Sequence, residues 1–93
     1  MLDISILIIG NGSIGCRHAK NLLKVVKEVK IFSSRFCEGE EIKKIDNVIY
    51  IKNLYKEIES SDGIVIANRT DKHLEIINYA LRKKKNIFIE KPI

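Results

Sequence analysis

The chain has 93 residues, 45% of them apolar and 31% charged, with a formal net charge of +5. That is room for one small domain burying about 60–65% of its unfolded surface, and the composition is that of a globular rather than a disordered chain. No run approaches the ~18 consecutive apolar residues of a membrane-spanning helix, and Asp3 stands where a signal peptide carries basic residues, so the expected location is the cytoplasm.

The first predicted element is a strand over Asp3 to Ile9 whose four apolar residues, Ile6 to Ile9, run directly into Gly10, Gly12 and Gly15. A continuous apolar run is the pattern of a strand covered on both faces, as in a parallel sheet with helices on either side. A G-x-G-x-x-G turn between such a strand and a helix is a dinucleotide-binding signal. Gly10 would permit the tight turn, Gly12 would let the backbone approach a pyrophosphate, and Gly15 would let the helix pack close to the strand. The phosphates would sit on free N–H groups at the helix N-terminus, where the dipole favours negative charge. The competing reading is a structural glycine turn that binds nothing.

The helix is expected over Ser13 to Lys27, with Ile14, Ala19, Leu22, Leu23 and Val26 as its buried stripe. His18 fits either a place at the ligand end or a solvated helix position. Cys16 and Cys37 lack metal-ligand spacing and a C-x-x-C pattern, so they read as reduced thiols, and no metal site is expected.

A second strand, Val29 to Ser33, leads into Ser34 and Arg35. A carboxylate here would hold the adenosine 2′-hydroxyl of NAD. The chain has none at this junction, whereas serine hydroxyls and a guanidinium would accept a 2′-phosphate, so the junction favours NADP over NAD. The competing reading makes Arg35 a solvated loop residue. Residues 37–47 are too short and polar for a full crossover helix, although Glu40 to Ile45 could form a turn or two.

A brief third strand, Val48 to Ile51, precedes a helix over Asn53 to Ser60, with Leu54, Tyr55 and Ile58 inward and Asn53 as N-cap. The fourth strand, Ile64 to Ala67, ends in Asn68, Arg69, Thr70 and Asp71. The next helix carries the stripe Leu74, Ile76, Ile77, Ala80 and Leu81. The last strand is Ile87 to Ile89, followed by Glu90, Lys91, Pro92 and Ile93. The basic run Arg82 to Lys85 suits a helix C-terminus better than a nucleic-acid patch, since few aromatic residues interleave with it.

This pattern predicts an α/β fold, a doubly wound parallel sheet of about five strands in the order 3-2-1-4-5. Ligands should bind where strand order reverses, beyond the carboxyl ends of strands one and four. The glycine turn, Ser34–Arg35, Asn68–His73 and Glu90–Lys91 all fall at carboxyl ends, and their convergence says more than any one motif. The fifth strand would be an exposed edge, open to self-association.

In three places the sequence resembles the Gfo/Idh/MocA oxidoreductases: GNGSIGCRH after the first strand, IANRTDKH after the fourth, and NIFIEKP at the fifth. The third is the most specific, because a bare dinucleotide fold does not require E-K-P. The resemblance implies that Gly10, Gly12, Ser13, Ile14 and Gly15 contact the pyrophosphate. Ser34 and Arg35 would meet the adenosine ribose or its phosphate. Ala67, Asn68, Arg69 and His73 would border the cofactor's ribose and diphosphate. Glu90 and Lys91 would reach the nicotinamide, with Lys91 in the catalytic role of assisting proton transfer or orienting a substrate hydroxyl. Arg69 replaces the family's usual proline. Lys84 replaces a common helix-terminating glycine, where a left-handed residue costs about 1–2 kcal/mol, so this helix is expected to end differently. The family's substrate domain has no counterpart in these residues.

Two functions follow. In one, residues 1–93 are the nucleotide-binding part of an oxidoreductase moving hydride between NAD(P) and a sugar- or polyol-like hydroxyl or carbonyl, with the substrate domain supplied elsewhere. In the other, the chain is a non-catalytic dinucleotide-binding or interaction module from a truncated gene. Neither requires nucleic acid or a membrane.

Overall fold

The computed structural model describes residues 2–10, 13–33, 45–67 and 73–89, apart from the side chains of Ser13 and His73. Among the described residues, five strands, β1 (Leu2–Ile9), β2 (Val26–Phe32), β3 (Ile49–Ile51), β4 (Gly63–Ile66) and β5 (Asn86–Ile89), and three helices, α1 (Ser13–Leu22), α2 (Leu54–Ser60) and α3 (His73–Arg82), follow in the order β1-α1-β2-β3-α2-β4-α3-β5. The strands form one sheet in the order β3-β2-β1-β4-β5 with every pairing parallel, as the sequence predicts. No helix among the described residues is long and apolar enough to cross a membrane.

β1 is central because its apolar run can be covered on both sides. Leu7 and Ile9 pack on one face with Ile51, Leu54, Ile58, Ile64, Ile66, Ile76 and Ala80, under α2 and α3. Ile8 packs on the other with Ala19, Val26, Val29 and Ile31, under α1. The pleat alternates side chains between these two layers. The final paired row crosses the whole sheet as Ile51, Phe32, Ile9, Ile66 and Ile89, so all five strands end level.

Gly15 sets how closely α1 can lie on β1. A Cβ there would collide with the Gly10 carbonyl oxygen and stand 3.1 Å from its carbon. Gly15 and Ala19, both buried and four residues apart, form the small-residue face that the helix lays on the sheet.

Several boundaries differ from the sequence expectation. α1 stops at Leu22, and Val26 already pairs with Leu2 in β2. β1 offers eight residues to pair, and the β-branched Val25 and Val26 favour extended chain over further helix. The helix unwinds through bonds from the Leu23 N–H to Ala19 O and the Val25 N–H to Leu22 O. Ile14, expected on the buried stripe, is 37% exposed, and Leu74 and Leu81 are 69% and 59% exposed. The buried stripes are narrower, centred on Gly15 and Ala19 in α1 and on Ile76 and Ala80 in α3. The N-cap of α2 is the expected Asn53, whose side chain accepts from the Lys56 N–H at 3.3 Å. The turn considered over Glu40 to Ile45 falls, but for Ile45, outside the described residues.

The end of α3 is a second correction. Lys84 takes the left-handed conformation, with φ 59°. The Lys85 N–H donates to Ala80 O at 3.0 Å and the Lys84 N–H to Leu81 O at 3.0 Å. This is the paired cap that glycine usually terminates. The lysine accepts the strain because two otherwise orphaned carbonyls gain partners.

A buried cation joins β2 to α2. Lys30 is 4% exposed, and its Nζ donates to Glu57 Oε2 at 2.8 Å and Ser60 Oγ at 3.1 Å. Donation from Lys30 holds the Glu57 carboxyl below its ordinary value of 4.5, against the opposing effect of burial. On the same side, the Tyr55 hydroxyl donates to Glu75 and the Tyr79 hydroxyl to Glu59, each at 3.0 Å, and the two rings meet edge to face at 4.7 Å. These contacts bind α2 to α3.

Two outcomes are expected. Gly15→Ala should cost about 2–3 kcal/mol in urea denaturation, because backbone opposes the new methyl and helix propensity returns only ~1 kcal/mol. Gly63→Ala, whose Cβ crowds the movable Ile6 Cδ1 at 2.9 Å and meets Asn86 O at an ordinary 4.0 Å, should cost less. Because the folded state depresses the Glu57 pKa, its contribution is present above pH 4.5 and is lost as pH falls through the folded value. Glu57→Gln should therefore flatten the acid limb of a stability–pH profile, and an unchanged limb would remove the ion pair from this account.

Candidate functional site

The carboxyl edge of the sheet brings together ends of separate strands by backbone hydrogen bonds. The Gly10 N–H donates to Phe32 O at 2.8 Å, which seats the glycine turn beside the end of β2. The Ala67 N–H donates to Ile9 O at 2.9 Å, which seats the end of β4 on the other side of β1. Gly10, Ser33 and Ala67 thus stand one residue past the same paired row. Strand order reverses between β2 and β4, and a crevice at that point is where open parallel sheets take ligands.

The turn itself needs glycine at Gly10, where φ is 120°, a conformation strained for any residue with a Cβ. α1 then begins at Ser13, so its free N–H groups lie at this edge. Its first turn carries no acidic residue that would repel an anion. Ser33 is buried at 5% exposure, directly ahead of the Ser34–Arg35 junction. α3 begins at His73, shortly after the end of β4. A positive-φ turn, a helix N-terminus with no opposing charge and a level row of strand ends together fit the pyrophosphate of a dinucleotide.

Of the predicted site residues, the structure brings Gly10, Ile14, Gly15, Ala67 and the backbones of Ser13 and His73 to this edge. Gly12, Ser34, Arg35, Asn68, Arg69, Glu90 and Lys91 lie outside the described residues. Ile89, the residue before Glu90, closes the same row in β5.

His18 is placed by its ring: it meets Phe88 of β5 edge to face, centroids 5.9 Å apart at 75°. Neither of the two readings open in the sequence, ligand end or solvated helix, contained this contact. The Lys30–Glu57 pair was also missed. Its one signal is Lys30 standing between the apolar Val29 and Ile31. An open depression is lined by Cys16, Arg17, Lys20 and Asn21 of α1 and by Lys24 just after it. Among the described residues, no group of three or more His, Cys, Asp and Glu could hold a metal ion.

Residues 4–93 match the Gfo/Idh/MocA family model, described as an oxidoreductase family with an NAD-binding Rossmann fold. The chain is 25% identical to myo-inositol 2-dehydrogenase of Thermotoga maritima and 32% identical to the uncharacterized oxidoreductase YrbE of Bacillus subtilis. Each match covers 92% of this chain and 27% of the relative. The crystal structure of apo scyllo-inositol dehydrogenase from Lactobacillus casei superposes with a TM-score of 0.69 at 25% identity, covering 99% of this chain and 29% of that one. The same enzyme with bound NAD(H) and scyllo-inositol gives a TM-score of 0.67 at 24% identity, covering 97% of this chain and 28% of that one. The chain therefore spans between a quarter and a third of the length of these relatives. With strand order, glycine turn and family match in agreement, the chain belongs to the Gfo/Idh/MocA oxidoreductase family, as a nucleotide-binding Rossmann fold.

Proposed function

We propose that residues 1–93 form the nucleotide-binding unit of an oxidoreductase that moves hydride between a nicotinamide cofactor and a sugar- or polyol-like hydroxyl or carbonyl. The observation that carries this reading is the meeting of Gly10, the N-terminus of α1 and Ala67 at the point where strand order reverses. The substrate class draws support from the inositol dehydrogenases among the relatives.

Each part of the chain then has a role. Backbone N–H groups at Gly12, Ser13 and Ile14 hold the pyrophosphate, Gly10 makes the turn that presents them, and Gly15 lets α1 lie close on β1. Ala67, Asn68, Arg69 and His73 border the cofactor's ribose and diphosphate. Glu90 and Lys91 reach the nicotinamide end, where a lysine close to the reacting hydroxyl can take or return its proton. The cofactor supplies hydride exchange at its nicotinamide ring. A substrate-covering domain closes the site from water, and this chain contributes one wall.

Ser34 and Arg35 favour NADP over NAD, because a guanidinium and hydroxyls satisfy a 2′-phosphate that a carboxylate would repel. The Lactobacillus casei relative carries NAD(H), so the two cofactors need direct comparison. Calorimetric titration should show tighter binding of NADPH than NADH, and Arg35→Glu should reverse or abolish that preference. Equal affinities, unaltered in Arg35→Glu, would remove Arg35 from the site.

A further inference from the structure

We propose that His18 is a positioning residue, one that fixes the carboxyl end of β5 relative to the pyrophosphate helix through its ring contact with Phe88. The inference rests on the dinucleotide reading above and concerns how its two ends are held in register.

Three observations carry it. First, the His18 and Phe88 rings meet edge to face at 5.9 Å and 75°, so α1 touches β5 directly although β4 lies between β5 and β1 in the sheet. Second, among the described residues β5 is the edge strand, paired with β4, and it is four residues long. Third, Phe88 is 55% exposed, and although Ile87 and Ile89 on the other face pack against the core, neither is fully buried as Leu7, Ile8 and Ile9 of β1 are. A short edge strand with a half-uncovered face is poorly located by its backbone ladder alone. A ring contact to a neighbouring helix supplies the missing constraint.

The placement on α1 is also specific. His18 lies four residues after Ile14 and three after Gly15, so it shares the flank of the helix with Ile14 rather than the Gly15–Ala19 face that rests on β1. α1 is therefore fixed to the centre of the sheet by its small residues and to the edge by its histidine. Phe88 precedes Ile89, which closes the level row of strand ends in β5, so a tilt of the strand at Phe88 moves the described end of β5 at this edge. The part of a dinucleotide that would sense such a movement is the nicotinamide half. The ADP-ribose half rests on β1, β2 and α1.

The test compares affinities of the 93-residue chain for the preferred reduced dinucleotide and for the matching ADP-ribose, with its 2′-phosphate if NADPH is preferred. His18→Ala should weaken dinucleotide binding roughly threefold to tenfold, the equilibrium equivalent of one aromatic pair, while ADP-ribose affinity changes less than twofold. Phe88→Ala, a change at a half-exposed position, should do the same. The double variant should lose no more than either single one, and His18→Phe should restore binding. Equal losses for both ligands, no loss for either, or additive losses in the double variant would overturn the proposal. Failure of the unsubstituted chain to bind ADP-ribose would instead overturn the dinucleotide reading, and this inference with it.

Discussion

The contact between Gly15 and the Gly10 carbonyl is the constraint on which the rest of the molecule depends. Gly15 belongs to a helix and Gly10 to a turn, and each needs to lack a Cβ for a different reason: one to let two backbones touch, the other to reach φ 120°. Once α1 lies that close to β1, its N-terminus is held at the end of the central strand. Gly10 is then within reach of Phe32 O, and β2 can pair along β1 from Leu2 to Ile9. The level ends of all five strands follow from the same register. A binding edge built this way consists of backbone groups that packing has already fixed in place, which is what preorganised recognition of a phosphate requires.

The two sides of the sheet solve the covering problem differently. α1 uses small residues and lies close. α2 and α3 use Leu54, Ile58, Ile76 and Ala80, then add a polar lattice of Lys30, Glu57, Ser60, Tyr55, Tyr79, Glu59 and Glu75 around that apolar centre. Lys83 joins it through a 2.9 Å ion pair with Glu59, whose carboxyl is lowered by that bond. An exposed pair of this kind contributes little to stability. The Lys30–Glu57 bond is different in kind: with the cation at 4% exposure, removing its partner would strand a charge in the sheet face.

Much of this was legible in the residues. The continuous apolar run of β1, the spacing of the glycines and the recurrence of strand, turn and helix give the topology, because parallel sheets leave few ways to connect such elements. Asn53 announced the start of α2 by its chemistry. The end of α1 was not legible, because Leu23 and Val26 continue a helical period as well as they begin a strand, and only pairing with Leu2 decides between them. The contact of His18 with Phe88 joins residues seventy positions apart, so no local pattern encodes it. Lys84 in place of glycine suggests a different end for α3, and that expectation fails. The helix still ends there because the cap bonds outweigh the strain. For the candidate site, the sequence supplied the residues and the structure supplied their convergence at one edge for those it describes.

The central claim is that this edge, and not the basic depression along α1, receives the dinucleotide. Backbone amide chemical shifts followed by NMR during titration with NADPH test it most directly. The account predicts that the largest changes fall at Gly10, Ser13, Ile14, Ser33 and Ala67, with Ser5, Val26 and Asp62 at the opposite edge unmoved. Changes centred on Arg17, Lys20 and Lys24 with the glycine turn silent would contradict it, as would a folded chain whose spectrum does not respond.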